Sequence, residues 1–344
     1  MHSKLIADAR IDPRIKAAFG RFDYPKLGNV ASREELLAEA NSEAGRAAAL
    51  GLKGWLDSFD DEQAAPSTGL VVQTLAIPSR LNGNDINLLI TRPAGDECLP
   101  CVYYIHGGGM QSLSCFDGNY KAWARLIAAN GVAVVMVDFR NALVPSSVPE
   151  VAPFPAGLDD CLAGVAWVGE NCTALNIDPA RIVIAGESGG GNLTLAAGMS
   201  LNKSGKMATI AGLYALCPYI AGEWPAAGCP SSIDNNGILL DLHNNRPAMA
   251  YGIEQLHCRN PLAWPAFAND ADVTGLPATV ISVNECDPLR DEGINFYRLL
   301  LRNGVPARCR QSMGTIHGTE IFVTICNDIS REAAADIANF CKSR

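Results

Sequence analysis

Apolar residues in this 344-residue chain change their spacing several times, and each change marks a different kind of element. Up to about residue 65 the spacing is helical and carries no strand signal. Asp12-Pro13 starts a helix on which Ile15, Ala18, Phe19 and Phe22 share one face. Ser32, with Glu35 three residues on, reads as a capping box for a helix that runs through Leu36, Leu37 and a long alanine-rich stretch. From Leu70 the texture turns β: residues 69–78 and 86–91 flank Asn82-Gly83-Asn84-Asp85, a hairpin signal. Strands and helices then alternate: strand 102–105, helix 123–129, strand 132–137, helix 158–170, strand 181–185, helix 191–199 and strand 210–216. After an interruption come strand 278–283, helix 293–303, a short polar strand 307–312 and a closing helix 330–340. An antiparallel start followed by alternation predicts the α/β class, with a mostly parallel central sheet covered by helices on both faces.

The interruption, residues 218–265, is rich in Pro, Gly, Asn and Trp and reads as an insertion beside whatever site the sheet carries. The plan is therefore a helical segment over 1–65 and an α/β domain over 66–344, broken by 218–265. The leading segment is amphipathic, but its polar face is not basic, which favours a lid packed on the main domain over a membrane-surface helix.

Composition narrows the partners. A formal charge of −9 without any basic cluster argues against nucleic acid and against an anionic membrane surface. No apolar run reaches membrane-spanning length, and the first residues lack the apolar core of a secretory signal. The twelve cysteines are scattered; the one CxxC, Cys98-Leu99-Pro100-Cys101, lacks a second pair or a histidine pair at zinc spacing. These features predict free thiols in a cytoplasmic protein, with neither a metal nor a cofactor.

The chemistry concentrates at Gly186-Glu187-Ser188-Gly189-Gly190, which follows the β-branched run Arg181-Ile182-Val183-Ile184-Ala185. A serine in a G-x-S-x-G frame between strand and helix has the form of a nucleophile elbow, although such a frame also occurs as a plain glycine-rich turn. A serine hydroxyl needs a base. Of five histidines, His2 is terminal, His243 and His257 fall in the insertion, and His106 opens His106-Gly107-Gly108-Gly109. His317 alone lies in a strand-end loop downstream of the serine, a position an ordinary loop histidine could also take. Asp287 follows the buried strand 278–283 and would orient the imidazole, with Glu285 and then Asp291 as rivals. The order Ser188, Asp287, His317 is that of α/β-hydrolases. Three glycines after an early strand, and Gly189 beside the serine, supply unobstructed amides for a developing oxyanion. A phosphate-binding turn is the other reading, but neither glycine run is spaced G-x-G-x-x-G. Ser200-Leu201-Asn202-Lys203 matches S-x-x-K without its companion motifs. Trp224, Trp264 and Phe267 are candidates for a pocket wall, with ordinary packing the simpler reading.

With these residues in view, the chain resembles the bacterial hormone-sensitive lipase family of carboxylesterases. The likeness lies in His106 to Gly109, in the block from Gly186 through Asn192 and in Asp287-Pro288-Leu289-Arg290-Asp291-Glu292-Gly293, and it extends from about residue 99 to the C-terminus. The resemblance implies an α/β-hydrolase fold with Ser188 as nucleophile, His317 as base and Asp287 as orienting acid. It implies oxyanion donors at the amides of Gly108, Gly109 and Gly189, a helical cap built from 1–65 and 218–265, and a homodimer. It also implies hydrolysis, through an acyl-enzyme, of a small-molecule substrate: a short- to medium-chain or small hydrophobic ester, bulky or cyclic esters included. Two departures touch loops beside the site: Phe139-Arg140-Asn141-Ala142-Leu143 replaces the usual Tyr-Arg-Leu-Ala-Pro, and Thr319 stands where Phe usually follows His317-Gly318. Two other functions share these residues. One is a non-catalytic receptor for a small apolar ligand, which would not need the base; the other is an acyltransferase or lyase using the same three side chains.

Overall fold

The computed structural model describes residues 4–22, 26–79 and 81–344. His2 and the rest of the first three residues lie outside this set. Eight strands form one sheet in the order β1-β2-β4-β3-β5-β6-β7-β8. They are β1 (Leu70–Pro78), β2 (Asp85–Pro93), β3 (Leu99–Ile105), β4 (Ala133–Asp138), β5 (Ile177–Glu187), β6 (Gly212–Leu216), β7 (Ala278–Asn284) and β8 (Ala307–Ser312). β2 runs antiparallel to both β1 and β4, and every other pair is parallel. This is the α/β-hydrolase arrangement.

Every residue of β3 and β4 is buried, as a strand covered on both faces requires. Alternate side chains go to opposite layers. Tyr103 and Ile105 join one core with Leu158 and Val165 of helix Ala156–Glu170, Leu193 and Leu195 of Gly189–Lys203, and Phe296 of Arg290–Arg302. Val102 and Tyr104 join the other with Trp123 of helix Gly118–Ala128 and Ile337 of Asn327–Lys342. The leading helices add Ile15, Phe19 and Leu56 to this second core.

Several element boundaries differ from those the spacing predicts. The continuous helix expected after Ser32 is broken at Ser42, whose backbone turns extended and whose Oγ accepts from Gly45 N at 3.0 Å, capping a second helix, Glu43–Asp57. The capping box at Ser32 is only half formed. Ser32 Oγ accepts from Glu35 N, but Glu35 Oε2 accepts from Ala31 N at 2.7 Å instead of the Ser32 amide. The helix expected from 123 starts at Gly118, because Gly118 N donates to Asp57 Oδ1 at 3.0 Å; this contact with the leading segment has no local signature. Among the described residues no strand lies between β6 and β7. That stretch holds short helices, including Ser231–Asp234, Arg246–Tyr251 and Ile253–His257. No helix among the described residues is long and apolar enough to cross a membrane.

Two sets of contacts tie the leading helices to the sheet's carboxyl end. Phe19, Trp55 and Phe59 gather around Phe322, with ring centroids 5.1, 5.4 and 5.2 Å from it. Val30 and Leu36 pack with Ala250, while Asn245 exchanges two 2.9 Å hydrogen bonds with the Val30 backbone and Arg246 pairs with Glu39 at 2.7 Å. Within the main domain, Glu292 anchors the start of the inserted stretch. Its buried carboxyl accepts from Ile220 N at 2.7 Å, Ala221 N at 3.2 Å and Trp224 Nε1 at 2.7 Å. Burial outweighs these donors and pushes the carboxyl up to about 8. Replacing it with leucine orphans three buried donors, so Glu292→Leu is expected to cost about 3 kcal/mol or more. Urea unfolding checks this; a loss under ~1 kcal/mol would mean the three donors find other partners.

Candidate active site

β5 ends at Glu187, and helix Gly189–Lys203 begins two residues later, so the chain reverses direction across Ser188 alone. Ser188 takes φ 56° and ψ −118°, a strained backbone for a residue with a Cβ. The flanking glycines make this possible. A Cβ on Gly186 would lie 2.5 Å from Gly190 O, one on Gly189 would lie 2.6 Å from Met110 N, and one on Gly190 would overlap Ile105 O.

The three residues expected to work together meet at the carboxyl ends of β5, β7 and β8. Ser188 Oγ is 2.8 Å from His317 Nε2, and His317 Nδ1 is 2.8 Å from Asp287 Oδ2. Asp287 is fully buried and its other oxygen, Oδ1, accepts from Leu289 N at 2.9 Å, so the carboxylate is held from both sides. Burial disfavours a charged His317, but the Asp287 carboxylate outweighs it and holds the imidazole well above its ordinary value. The rivals of Asp287 are committed elsewhere. Glu285 accepts from Gly314 N at 2.7 Å, and Asp291 accepts from Ser231 N and Arg290 Nε at 2.7 and 2.8 Å.

The other described histidines are also accounted for. His106 is buried and stacks on Phe139 at 4.2 Å, with Nδ1 3.0 Å from Gly107 O; burial lowers its pKa, which keeps it neutral. His243 Nε2 lies 2.9 Å from Ser232 O, and His257 is exposed. The Cys217 thiol, Asp287 and His317 place donor atoms within 4.8 Å of one another, a spacing a metal ion could bridge. Both ring nitrogens of His317 are already engaged, by Asp287 and by Ser188. Cys98 is exposed and Cys101 buried, and all twelve cysteines are free thiols.

Ser188 and His317 open onto a cavity of about 290 Å³ with Gly108, Gly109, Leu113, Leu239, Leu240 and Phe322 in its wall. A second cavity of about 410 Å³, reaching Glu39, Asp241 and Arg246, shares Gln111, Tyr219 and Leu242 with the first. A wider cleft of about 520 Å³ lies at the amino ends of β7 and β8, on the wrong side of the sheet for Ser188. The amides of Gly108, Gly109 and Gly189 find no acceptor among the described residues.

Trp224, Trp264 and Phe267 do not line the cavity beside Ser188 and His317. Trp224 stacks behind Tyr219 at 4.7 Å, Trp264 meets Tyr219 edge-on at 6.3 Å, and Phe267 lies under Arg259 at 4.4 Å. Tyr219, Leu239 and Leu242 do the lining, and they come from the inserted stretch, where no periodicity marks them. Of the two departures, Asn141 Nδ2 donates to Leu113 O at 2.7 Å, and Thr319 Oγ1 accepts from Ile316 N at 3.1 Å. Glu187 was visible all along inside the serine motif, a charged residue ending an apolar strand. It is 2 % exposed and meets two phenols.

A family model described as the alpha/beta hydrolase fold matches residues 102–321. Carboxylesterase NlhH of Mycobacterium tuberculosis is 31% identical over 236 residues, 68% of this chain and 70% of that protein. Among solved structures, esterase Est22 is 62% identical, with TM-score 0.98 and 100% of both chains covered. Brefeldin A esterase, a bacterial homologue of human hormone-sensitive lipase, is 34% identical, with TM-score 0.87 over 98% of this chain and 94% of that one. A family match over most of the chain, with carboxylesterases and esterases at both levels of comparison, makes this chain a member of the α/β-hydrolase fold family and, within it, a carboxylic-ester hydrolase of the bacterial hormone-sensitive lipase group.

Proposed function

We propose that the chain is a serine carboxylesterase that hydrolyses short- to medium-chain or small hydrophobic esters through an acyl-enzyme. The observation that carries this reading is the unbroken relay Ser188–His317–Asp287, with both links at 2.8 Å, facing an apolar cavity of about 290 Å³. Ser188 Oγ attacks the ester carbonyl carbon while its proton passes to His317 Nε2. The charge that develops on the carbonyl oxygen is met by the amides of Gly108, Gly109 and Gly189, helped by the start of helix Gly189–Lys203. His317 then gives its proton to the departing alkoxide. Water attacks the acyl group, its proton passing through His317 to Ser188 as the acid leaves. Asp287 orients the ring and stabilises it while charged. A receptor would have no use for a paired base, which favours the enzyme.

The leading helices and residues 218–265 form the cap in this reading. Support comes from their mutual contacts at Val30, Asn245 and Arg246 and from the cavity walls they supply. Leu239, Leu240 and Leu242 suit a short acyl chain, and the adjoining cavity leaves room for a larger alcohol. Est22 has been solved with p-nitrophenol, the leaving group of a convenient substrate series.

Hydrolysis of p-nitrophenyl esters from acetate to palmitate at pH 8 is expected to peak at short chains. Ser188→Ala should lower the rate on the order of 10³-fold or more. Palmitate as the best substrate would refute the acyl pocket, and an active alanine variant would refute the nucleophile. The pH dependence follows from His317, which must be neutral to accept a proton and whose pKa is raised by Asp287. More of it is protonated at a given pH than for a free imidazole, so kcat/KM should fall with falling pH along a limb centred above ~6.5. A rate flat from pH 5 to 8 would sink the assignment.

A further inference from the structure

The glycine loop after β3 must be held at a fixed distance from Ser188, and two of its glycines have no side-chain anchor of their own. The carboxyl group of Glu187, the residue just before Ser188, lies under this loop. Tyr120 Oη donates to Glu187 Oε1 at 2.6 Å, and Tyr104 Oη donates to Glu187 Oε2 at 2.7 Å. Tyr120 Oη in turn accepts from Gly107 N at 3.0 Å. Gly107 has room for no side chain, since a Cβ there would overlap the Glu187 carboxyl. Tyr120 and Glu187 both reach the catalytic cavity.

We propose that Glu187 and Tyr120 are positioning residues that clamp the glycine loop to the nucleophile strand, engaging the Gly107 amide and leaving those of Gly108 and Gly109 to receive the oxyanion. The inference rests on the serine-esterase reading above. Its logic is one of hydrogen-bond accounting. Each buried amide needs an acceptor, and Gly107 has found one inside the protein, whereas Gly108 and Gly109 have none among the described residues. Burial pushes both phenols well above their usual range, so each keeps its proton. Tyr120 therefore keeps a hydroxyl hydrogen for the ionised Glu187 carboxylate and a lone pair for Gly107. Tyr104 meets the same carboxyl at the same depth but touches no loop amide. The two tyrosines thus separate anchoring of the loop from satisfaction of a buried carboxyl.

That difference supplies the test, using the full chain and a short p-nitrophenyl ester. Tyr120→Phe is expected to lower kcat about 10- to 100-fold with KM held within about twofold, the signature of a contact made in the transition state. Tyr104→Phe, which removes one hydrogen bond of the same kind, should lower kcat less than about threefold. A trifluoromethyl ketone that adds to Ser188 as an oxyanion should lose affinity in Tyr120→Phe by the same factor as kcat/KM. Equal kcat losses in the two phenylalanine variants, or a loss in KM alone, would overturn the proposal. Should Tyr120→Phe fail to fold, Glu187→Asp draws the carboxyl back by one methylene and should lower kcat at least about 10-fold; full activity there overturns it equally. Ser188→Ala runs alongside. If that variant stays active the esterase mechanism itself has failed, whereas if it is inactive while Tyr120→Phe behaves as wild type, only the clamp has failed.

Discussion

The close approach of three backbones around Ser188 is the constraint on which the rest depends. β5 must end, a helix must start, and the loop after β3 must pass within contact of both. The space left over admits no Cβ at Gly186, Gly189 or Gly190. Ser188 bears the strain of a positive φ, and Ser188 N donates to Leu216 O at 2.9 Å, which fastens the turn to β6. The helix that follows is buried along most of its length and is fixed to the inserted stretch by Asn192, whose Nδ2 donates to Tyr219 O and Ala263 O at 2.9 and 3.0 Å. A strained turn persists only when its surroundings over-determine it, and here they do.

Electrostatics at this end of the sheet follows from burial. Asp287, Glu187 and Glu292 are all nearly inaccessible, and each is kept by a dedicated set of donors. The three have different partners and so play different parts. Asp287 faces the His317 imidazole, whose Nδ1 lies 2.8 Å from its Oδ2. Burial pushes Glu187 up to about 7, against two phenols whose hydrogen bonds favour its charged form. Glu292 faces two amides and an indole and holds the backbone behind Tyr219.

The leading helices bear on the same site through Phe322. This ring lies in the cavity wall five residues after His317 and is packed by Phe19, Trp55 and Phe59. The cavity beside Ser188, the His317 loop and the first helices therefore share one aromatic cluster, so a change of shape in the leading segment reaches that cavity directly.

Much of this was legible in the residues alone. Backbone constraints write themselves into local sequence: only glycine fits around Ser188, and only continuous apolar runs suit strands covered on both faces, so the elbow, the sheet and the order Ser188, Asp287, His317 could be read without coordinates. Asp12 and Pro13 likewise announced the helix Pro13–Phe19. What could not be read depends on partners distant along the chain. The choice of Asp287 over Glu285 and Asp291 was decided by which carboxylate points at His317, thirty residues on. The early start of helix Gly118–Ala128 was decided by Asp57, and the cavity wall by Leu239 and Tyr219 in a stretch with no periodicity. Glu187 stood inside the motif throughout, but its two phenols come from β3 and from helix Gly118–Ala128, and only folding brings them to one carboxyl. Local sterics is a property of neighbouring residues and shows in sequence; a hydrogen bond between residues 67 apart, as between Tyr120 and Glu187, exists only once the sheet has formed.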